Sequence, residues 1–201
     1  MMRKVLSCIF VVLGCVCPCM AGLSTADEAA DGYLTVGEYD ASGISLENSE
    51  KLIVNGGGAV GIDAWDNSRI EVYSTSLPLK LYAGGVYDIH LHDNSTLLFT
   101  GGATESLTLK RDSTAVLTGG TINYIKIYHR PVDSCFLTLY CQEGWEWLYT
   151  SSKITGIKGL WNDGTPFQIT LSNIGGAWPD TAKYVNIIPE PATMLDRKSV
   201  V

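Results

Sequence analysis

The sequence predicts an all-β chain that forms a short β-solenoid, single-stranded and β-helix-like, with about 18 residues per coil. Pairs of apolar residues that flank one other residue recur about every nine positions from Ile44 to Ile127, the period-2 pattern of strands with one buried face. Glycine accounts for 21 of the 201 residues, and glycine is typical of turns. Two turn types separate these pairs, so two strands and two turns make one repeat.

Each strand is predicted from its inward apolar pair, and the pairs divide into two alternating series. The first series comprises Ile44/Leu46, Ile62/Ala64, Leu79/Leu81, Leu97/Phe99 and Ala115/Leu117. The second series comprises Leu52/Val54, Ile70/Val72, Ile89/Leu91, Leu107/Leu109 and Ile125/Ile127. From Glu71 onward the middle residue of the second series is polar, as a solvent-facing position should be. Stacked coils would complete both the hydrogen-bonded ladder and the core.

The turns support the same repeat. Glycine pairs follow the first series at 84–85, 101–102 and 119–120, where they supply positive φ at little steric cost. Asx-containing turns follow the second series at 93–95 and 111–113, although the turn at 66–68 breaks the alternation. An antiparallel β-sandwich is the alternative, because regularly spaced short strands are also its signature. The recurrence of turn type favours the solenoid.

The N-terminus resembles a secretory signal over residues 1–21. Arg3 and Lys4 precede a short apolar stretch at 5–13, and Ala21 offers a small residue for cleavage before Gly22. A lipoprotein signal with its modified cysteine at Cys15 is the alternative. Four of the six cysteines lie in this segment.

The C-terminus carries the most specific motif. Residues 188–194, Ile-Pro-Glu-Pro-Ala-Thr-Met, resemble the start of the PEP-CTERM sorting signal of exported Gram-negative bacterial proteins. The resemblance implies recognition of Pro189, Glu190 and Pro191 by an exosortase-type system. The apolar helix and basic cluster of that family do not follow Leu195, so we expect 188–201 to be an incomplete sorting tail.

The organisation predicted between the ends has three parts. Residues 22–43 form an N-terminal cap or linker, 44–130 the solenoid repeats, and 131–187 an irregular β segment that begins at Pro131. Strands are predicted in that last segment at 136–140, 146–149, 167–171 and 183–188. Cys135 and Cys141 are not expected to form a disulfide with each other, because an extended strand between them holds them too far apart.

Asp88, His90 and His92 are the candidate metal ligands, because alternate residues of a strand point to one face and zinc accepts imidazole and carboxylate ligands. The repeat places His90 in an outward row with Glu71, Thr108 and Lys126. It places His92 in a row with Tyr73, Lys110 and Tyr128. A place among solvent-facing neighbours accounts for both histidines without a metal, so we expect no metal ion to bind there.

Exposed aromatic side chains are the candidate contacts for glycans. They are Tyr73, His92, Tyr128, Trp145 and Trp147. The alternative for the tryptophans is that Trp145, Trp161 and Trp178 seal the core of the C-terminal part. The segment 61–65 is similar to part of the calcium-binding β-roll repeat, but no second copy follows. The acidic residues are scattered, whereas glycan cleavage needs a fixed carboxylate pair, so no catalytic residue is assigned.

These features predict an exported protein of a Gram-negative bacterium, at the cell surface or outside the cell. The repeats resemble β-helical regions of bacterial surface proteins, which implies a structural or interaction role without catalysis or cofactor. Expected partners are exosortase-type machinery and extracellular polysaccharide, with the membrane contacted only transiently. The net charge of −7 argues against nucleic-acid binding. Alternatives are a glycan-binding module and a small β-helix polysaccharide lyase or hydrolase, with Asp88 and Asp93 as residues to test.

Overall fold

The computed structural model of the protein describes residues 27–28, 33–36, 39–40, 43–75, 85–128, 134–172 and 181–190. The predicted signal segment 1–21, the strand predicted around Leu79, Trp178, and Pro191 with the rest of the sorting tail lie outside these residues. Among the described residues, no helix has the length and apolar character needed to cross a bilayer.

The described chain is all-β, as predicted, with one turn of 3₁₀ helix at Thr181–Tyr184. Its strands in chain order are β1 (Asp27–Glu28), β2 (Tyr33–Val36), β3 (Tyr39–Asp40), β4 (Ile44–Leu46), β5 (Lys51–Asn55), β6 (Gly58–Ala64), β7 (Arg69–Ser74), β8 (Val86–Leu91), β9 (Thr96–Phe99), β10 (Ala103–Lys110), β11 (Thr114–Leu117), β12 (Thr121–Tyr128), β13 (Phe136–Gln142), β14 (Glu146–Thr150), β15 (Lys153–Leu160), β16 (Pro166–Leu171) and β17 (Val185–Glu190).

The strands form two sheets. Sheet 1 has the order β1-β2-β5-β7-β9-β11-β13-β17, and sheet 2 has the order β14-β15-β16-β12-β10-β8-β6-β3, with β4 also paired to β6. Pairing is parallel throughout, apart from β1 with β2, β14 with β15, and β15 with β16. Parallel pairing is the opposite of what the antiparallel sandwich alternative requires. From β4 to β12 the chain alternates between the sheets, and the buried side chains of both form one hydrophobic cluster.

One repeat is longer than the others. Leu52 of sheet 1 pairs with Ile70, 18 positions later, and Ile89 of sheet 2 pairs with Leu107 at the same spacing. Ile62 of sheet 2, however, pairs with Ile89, 27 positions later. The nine extra positions correspond in number to residues 76–84, which connect the described residues of this repeat.

The long repeat shows that the predicted division into two strand series is wrong beyond β7. Leu97 stacks on Ile70 and Ala115 stacks on Leu97 in sheet 1, although the prediction grouped Leu97 and Ala115 with Ile62. Ile89 stacks on Ile62 in sheet 2 instead. Nine residues are half a repeat, so the insertion exchanges the two sheets while the apolar alternation continues unchanged.

The same shift accounts for the turn that broke the predicted alternation. Asn48, Asp66, Asp93 and Arg111 all have positive φ, between 54° and 59°, in the turns that lead from sheet 2 to sheet 1. The backbone N–H of Asn48 donates to Asp66 Oδ2 at 3.2 Å, and the Arg111 guanidinium donates to the Asp93 carboxylate. These four residues form one turn column, in which Asn48 contacts Asp66 and Asp93 contacts Arg111.

The segments flanking the repeats extend both sheets. In the predicted cap or linker, β2 pairs with β5 in sheet 1 and β3 pairs with β6 in sheet 2. At the other end, β13 and β17 extend sheet 1, and β16 pairs with β12 in sheet 2. Cys135 and Cys141 remain thiols in the core, where burial raises the pKa of Cys141. The strand β17 runs through Pro189 and Glu190, past the predicted boundary at 187.

Strand β15 is missing from the prediction. Its sequence, Lys153–Leu160, contains two glycines and lacks a clean apolar alternation, so it gives a weak strand signal. Gly156 is needed there because a Cβ atom would lie 2.6 Å from the Ile169 carbonyl oxygen of β16. Close by in sequence, Trp161 is buried and its Nε1 donates to the Gly120 carbonyl at 2.8 Å, as the core-sealing alternative predicts.

Candidate functional site

Two neighbouring strands of sheet 2 position the candidate site. Asp63 of β6 and His90 of β8 are directly paired, and both point outward because their strand neighbours fill the core. His92 follows β8, and its backbone N–H donates to the Ala64 carbonyl at 2.9 Å. Parallel pairing therefore brings one carboxylate and two imidazoles to the same outer corner of the sheet.

The distances within this cluster are short. His90 Nδ1 lies 3.0 Å from Asp63 Oδ1, and His92 Nε2 lies 3.9 Å from the same oxygen. One ligand atom from each of the three residues lies within 4.8 Å of the others. Asp63 is about half exposed and His90 is about a third exposed, whereas His92 is almost entirely covered. We call these three residues the Asp-His-His cluster.

Trp65 holds the buried imidazole in place. Its ring stacks on the His92 ring with 3.7 Å between centroids and 14° between planes. Burial lowers the pKa of His92 below the usual 6.5, and the nearby positive charge of Lys110 lowers it further, while Asp63 acts in the opposite direction. His92 is thus held as a neutral imidazole at neutral pH, with a nitrogen lone pair available to accept.

Neighbouring strands border the cluster with one basic and one aromatic side chain. Lys110 ends β10 and Tyr128 ends β12, and the Lys110 ammonium lies 5.8 Å from the centre of the Tyr128 ring. The row predicted for His92 is therefore correct for Lys110 and Tyr128. It is wrong for Tyr73, which lies on sheet 1, because the long repeat moves His92 to the other sheet.

Two further assignments need correction for the same reason. Glu71 lies on β7 of sheet 1, so the row of His90 contains Asp63, Thr108 and Lys126 instead. Asp88, the candidate third ligand, is not in the cluster, and its Oδ1 accepts a hydrogen bond of 2.5 Å from Ser106 Oγ. Asp63 is the carboxylate of the cluster instead. Knowledge of the 27-residue repeat would have indicated it, because Asp63 lies 27 positions before His90.

The chain matches no known protein family, no curated protein and no solved structure. What the Asp-His-His cluster can do therefore rests on its own geometry. It offers two nitrogens and one carboxylate to a cation or to a hydrogen-bonding ligand. Asp93, the other acidic candidate, already accepts from Arg111 in the turn column.

The candidate glycan contacts fall in three separate places. Tyr73 is 45% exposed on sheet 1, and its hydroxyl donates to Glu71, which pairs with Arg69. Tyr128 is half-buried on sheet 2, and His92 is too deeply covered by Trp65 to stack on a sugar.

The third place is the tryptophan pair at the start of β14. Trp145 and Trp147 are half-buried, pack against the core, and contact each other edge to face at 5.4 Å. Both residues therefore share one face, as predicted from their spacing. The five candidates do not form one continuous aromatic platform.

Proposed function

We propose that this chain is an exported cell-surface or extracellular-matrix protein whose repeats form a β-solenoid and serve as a structural or interaction scaffold without catalysis. The observation that carries the proposal is the parallel ladder. Strands 18 residues apart stack in register on both sheets, and a turn column connects successive repeats. Such an array presents long, regular outer faces, which suit a spacer or a binding surface.

The two chain ends supply the export part of the proposal. The signal-like segment 1–21 would direct the chain to the export machinery. The motif at Pro189, Glu190 and Pro191 would direct it to an exosortase-type system. The side chains of Pro189 and Glu190 are exposed, but their backbone is paired with Cys141 and Gln142 of β13. An enzyme that reads the motif as an extended segment would have to compete with β13 for it.

Fractionation of a Gram-negative host that has an exosortase-type system tests the destination. The full chain should reach the surface or the medium, and the same chain with Pro189, Glu190 and Pro191 replaced by alanine should be retained inside the envelope. Asn186→Ala is the matched control, because Asn186 is an exposed residue of the same strand outside the motif. Equal export of the motif variant, or retention of the control as well, would remove the sorting assignment.

Glycan binding is the second candidate function, and the exposure of Tyr73 and the Trp145–Trp147 pair favours it. On an array of acidic and neutral polysaccharides, Tyr73→Ala and Trp145→Ala should each weaken binding. Tyr149→Ala is the control, since Tyr149 is 62% exposed and belongs to none of the candidate contacts. Circular dichroism checks folding of Trp145→Ala, because Trp145 also packs on the core. Absence of binding to every polysaccharide rules this function out.

A further inference from the structure

The ligand atoms of the Asp-His-His cluster have nearly the separations that a bound metal requires. Zinc takes nitrogen and oxygen ligands at about 2.0–2.1 Å in a tetrahedron, which places the ligand atoms about 3.3 Å from one another. The 3.0 Å and 3.9 Å distances from Asp63 Oδ1 to the two histidines lie on either side of that value. The third separation is within 4.8 Å, so binding requires the partly exposed His90 ring to move closer to His92.

The surroundings hold the ligand groups in place, while the positive charge of the nearby Lys110 opposes the binding of a cation. The pairing of β6 with β8 fixes the backbones of Asp63 and His90, and the stack on Trp65 fixes the His92 ring. The backbones of two ligand residues and the ring of the third are thus held before any ion arrives, which reduces the ordering cost of binding. The carboxylate is about half exposed, so an ion has a path from solvent and keeps an open coordination position.

We propose that Asp63, His90 and His92 bind a divalent transition-metal ion of the zinc class through the Asp63 carboxylate, Nδ1 of His90 and Nε2 of His92. Two imidazoles and one carboxylate suit zinc, whereas magnesium and calcium prefer oxygen ligands alone. The ion joins neighbouring repeats of sheet 2, because Asp63 and the histidines belong to successive coils of the ladder. The open position would take water or an anionic group of a partner.

Titration calorimetry with Zn²⁺ tests the site on the full chain in which Cys8, Cys15, Cys17 and Cys19 are replaced by serine, because thiolates also bind zinc. One equivalent of Zn²⁺ should bind. Asp63→Asn and His90→Gln should each weaken binding by at least about tenfold, since even residues that only support a ligand contribute about that much. Both side chains are partly exposed, so both variants are expected to fold, and circular dichroism verifies this.

Two matched controls separate this site from non-specific binding. Asp88→Asn makes the same chemical change two residues before His90 on β8, and His129→Gln removes the remaining histidine of the sequence. Both controls should retain the affinity of the parent chain. The proposal is overturned if the parent chain binds no Zn²⁺, or if folded Asp63→Asn and His90→Gln bind as tightly as the controls. Either result would leave Asp63 and His90 as a hydrogen-bonded pair alone.

Discussion

His92 shows at the residue scale how much of the site the sequence could predict. Alternation along β8 correctly placed His90 and His92 on the outward side of their strand. Two facts could not be predicted, because both depend on which residue lies in the neighbouring repeat. Asp63 pairs with His90 across the repeat of 27 residues. The Trp65 ring stacks on the His92 imidazole and covers it. A polar residue on the outer face is therefore buried, contrary to the simple pattern.

The depressed pKa of His92 predicts a specific dependence of stability on pH. As the pH falls below 6.5, His92 takes up a proton in the unfolded chain before it does so in the folded chain. The main reason is that burial disfavours the charged ring, and the positive charge of Lys110 adds to this effect. The stabilisation is thus fully present above 6.5 and declines as pH falls toward the folded-state value. Urea denaturation between about pH 7.5 and about pH 5 should show a smaller loss for His92→Gln than for the parent chain.

EDTA in every sample keeps metal ions out of that measurement, and His129→Gln controls for the removal of one histidine. An unchanged slope of unfolding free energy against pH in His92→Gln would show that burial of His92 is not coupled to folding.

At the element scale, the glycine pairs between sheets 1 and 2 serve two needs, and Gly102 and Gly120 serve both, because a Cβ on either would also lie under 3 Å from the previous repeat. The second glycine of each pair supplies the positive φ that the sequence predicted, at +84° for Gly102 and +83° for Gly120. The first glycine allows two successive repeats to approach, because a Cβ on Gly119 would overlap the Thr100 carbonyl oxygen. That second need depends on contact with the previous repeat, so it is not visible in the local sequence.

Substitution at Gly119 should therefore cost more than substitution at a glycine that has only unusual φ. Gly119→Ala pushes a methyl group into backbone of the adjacent coil, and we expect a loss of unfolding free energy of about 1–3 kcal/mol or more. Gly144→Ala is the comparison, because Gly144 has φ +92° and no atom of the described residues lies within 4 Å of where its methyl group would be. Its cost should be about 1 kcal/mol. Urea denaturation measures both, and an equal or reversed order would contradict the close-approach explanation.

At the scale of the whole molecule, the sequence predicted the all-β class and the spacing of 18 residues but not the place where the spacing changes. A half-repeat insertion preserves the alternation of apolar residues and moves every later strand to the opposite sheet. The change is revealed only by which strands pair with each other, for example by the pairing of Ile62 in β6 with Ile89 in β8. The turn at Asp66 was the one local sign, because it broke an alternation that the true register restores.

Removal of residues 76–84 should convert the long repeat to the common spacing of 18. Every described strand pair keeps its register in this deletion, so we expect the unfolding free energy to change by no more than about 1 kcal/mol, as for other loop-length changes. The control is a deletion of the nine residues 108–116, which removes parts of β10 and β11 and should abolish cooperative unfolding. Circular dichroism during thermal unfolding distinguishes the two. Loss of folding in the first deletion would show that 76–84 is an integral part of the stack.

The position of Pro189 in β17, the last described strand of sheet 1, has a consequence for self-association. A parallel ladder that ends in an open strand is a template on which another chain can add, and such additions can continue into fibres. Pro189 has no N–H to donate, and Glu190 places an exposed negative charge beside it on β17. Pro189 and Glu190, which belong to the motif that resembles a sorting signal, are therefore expected to disfavour the addition of another chain at this edge.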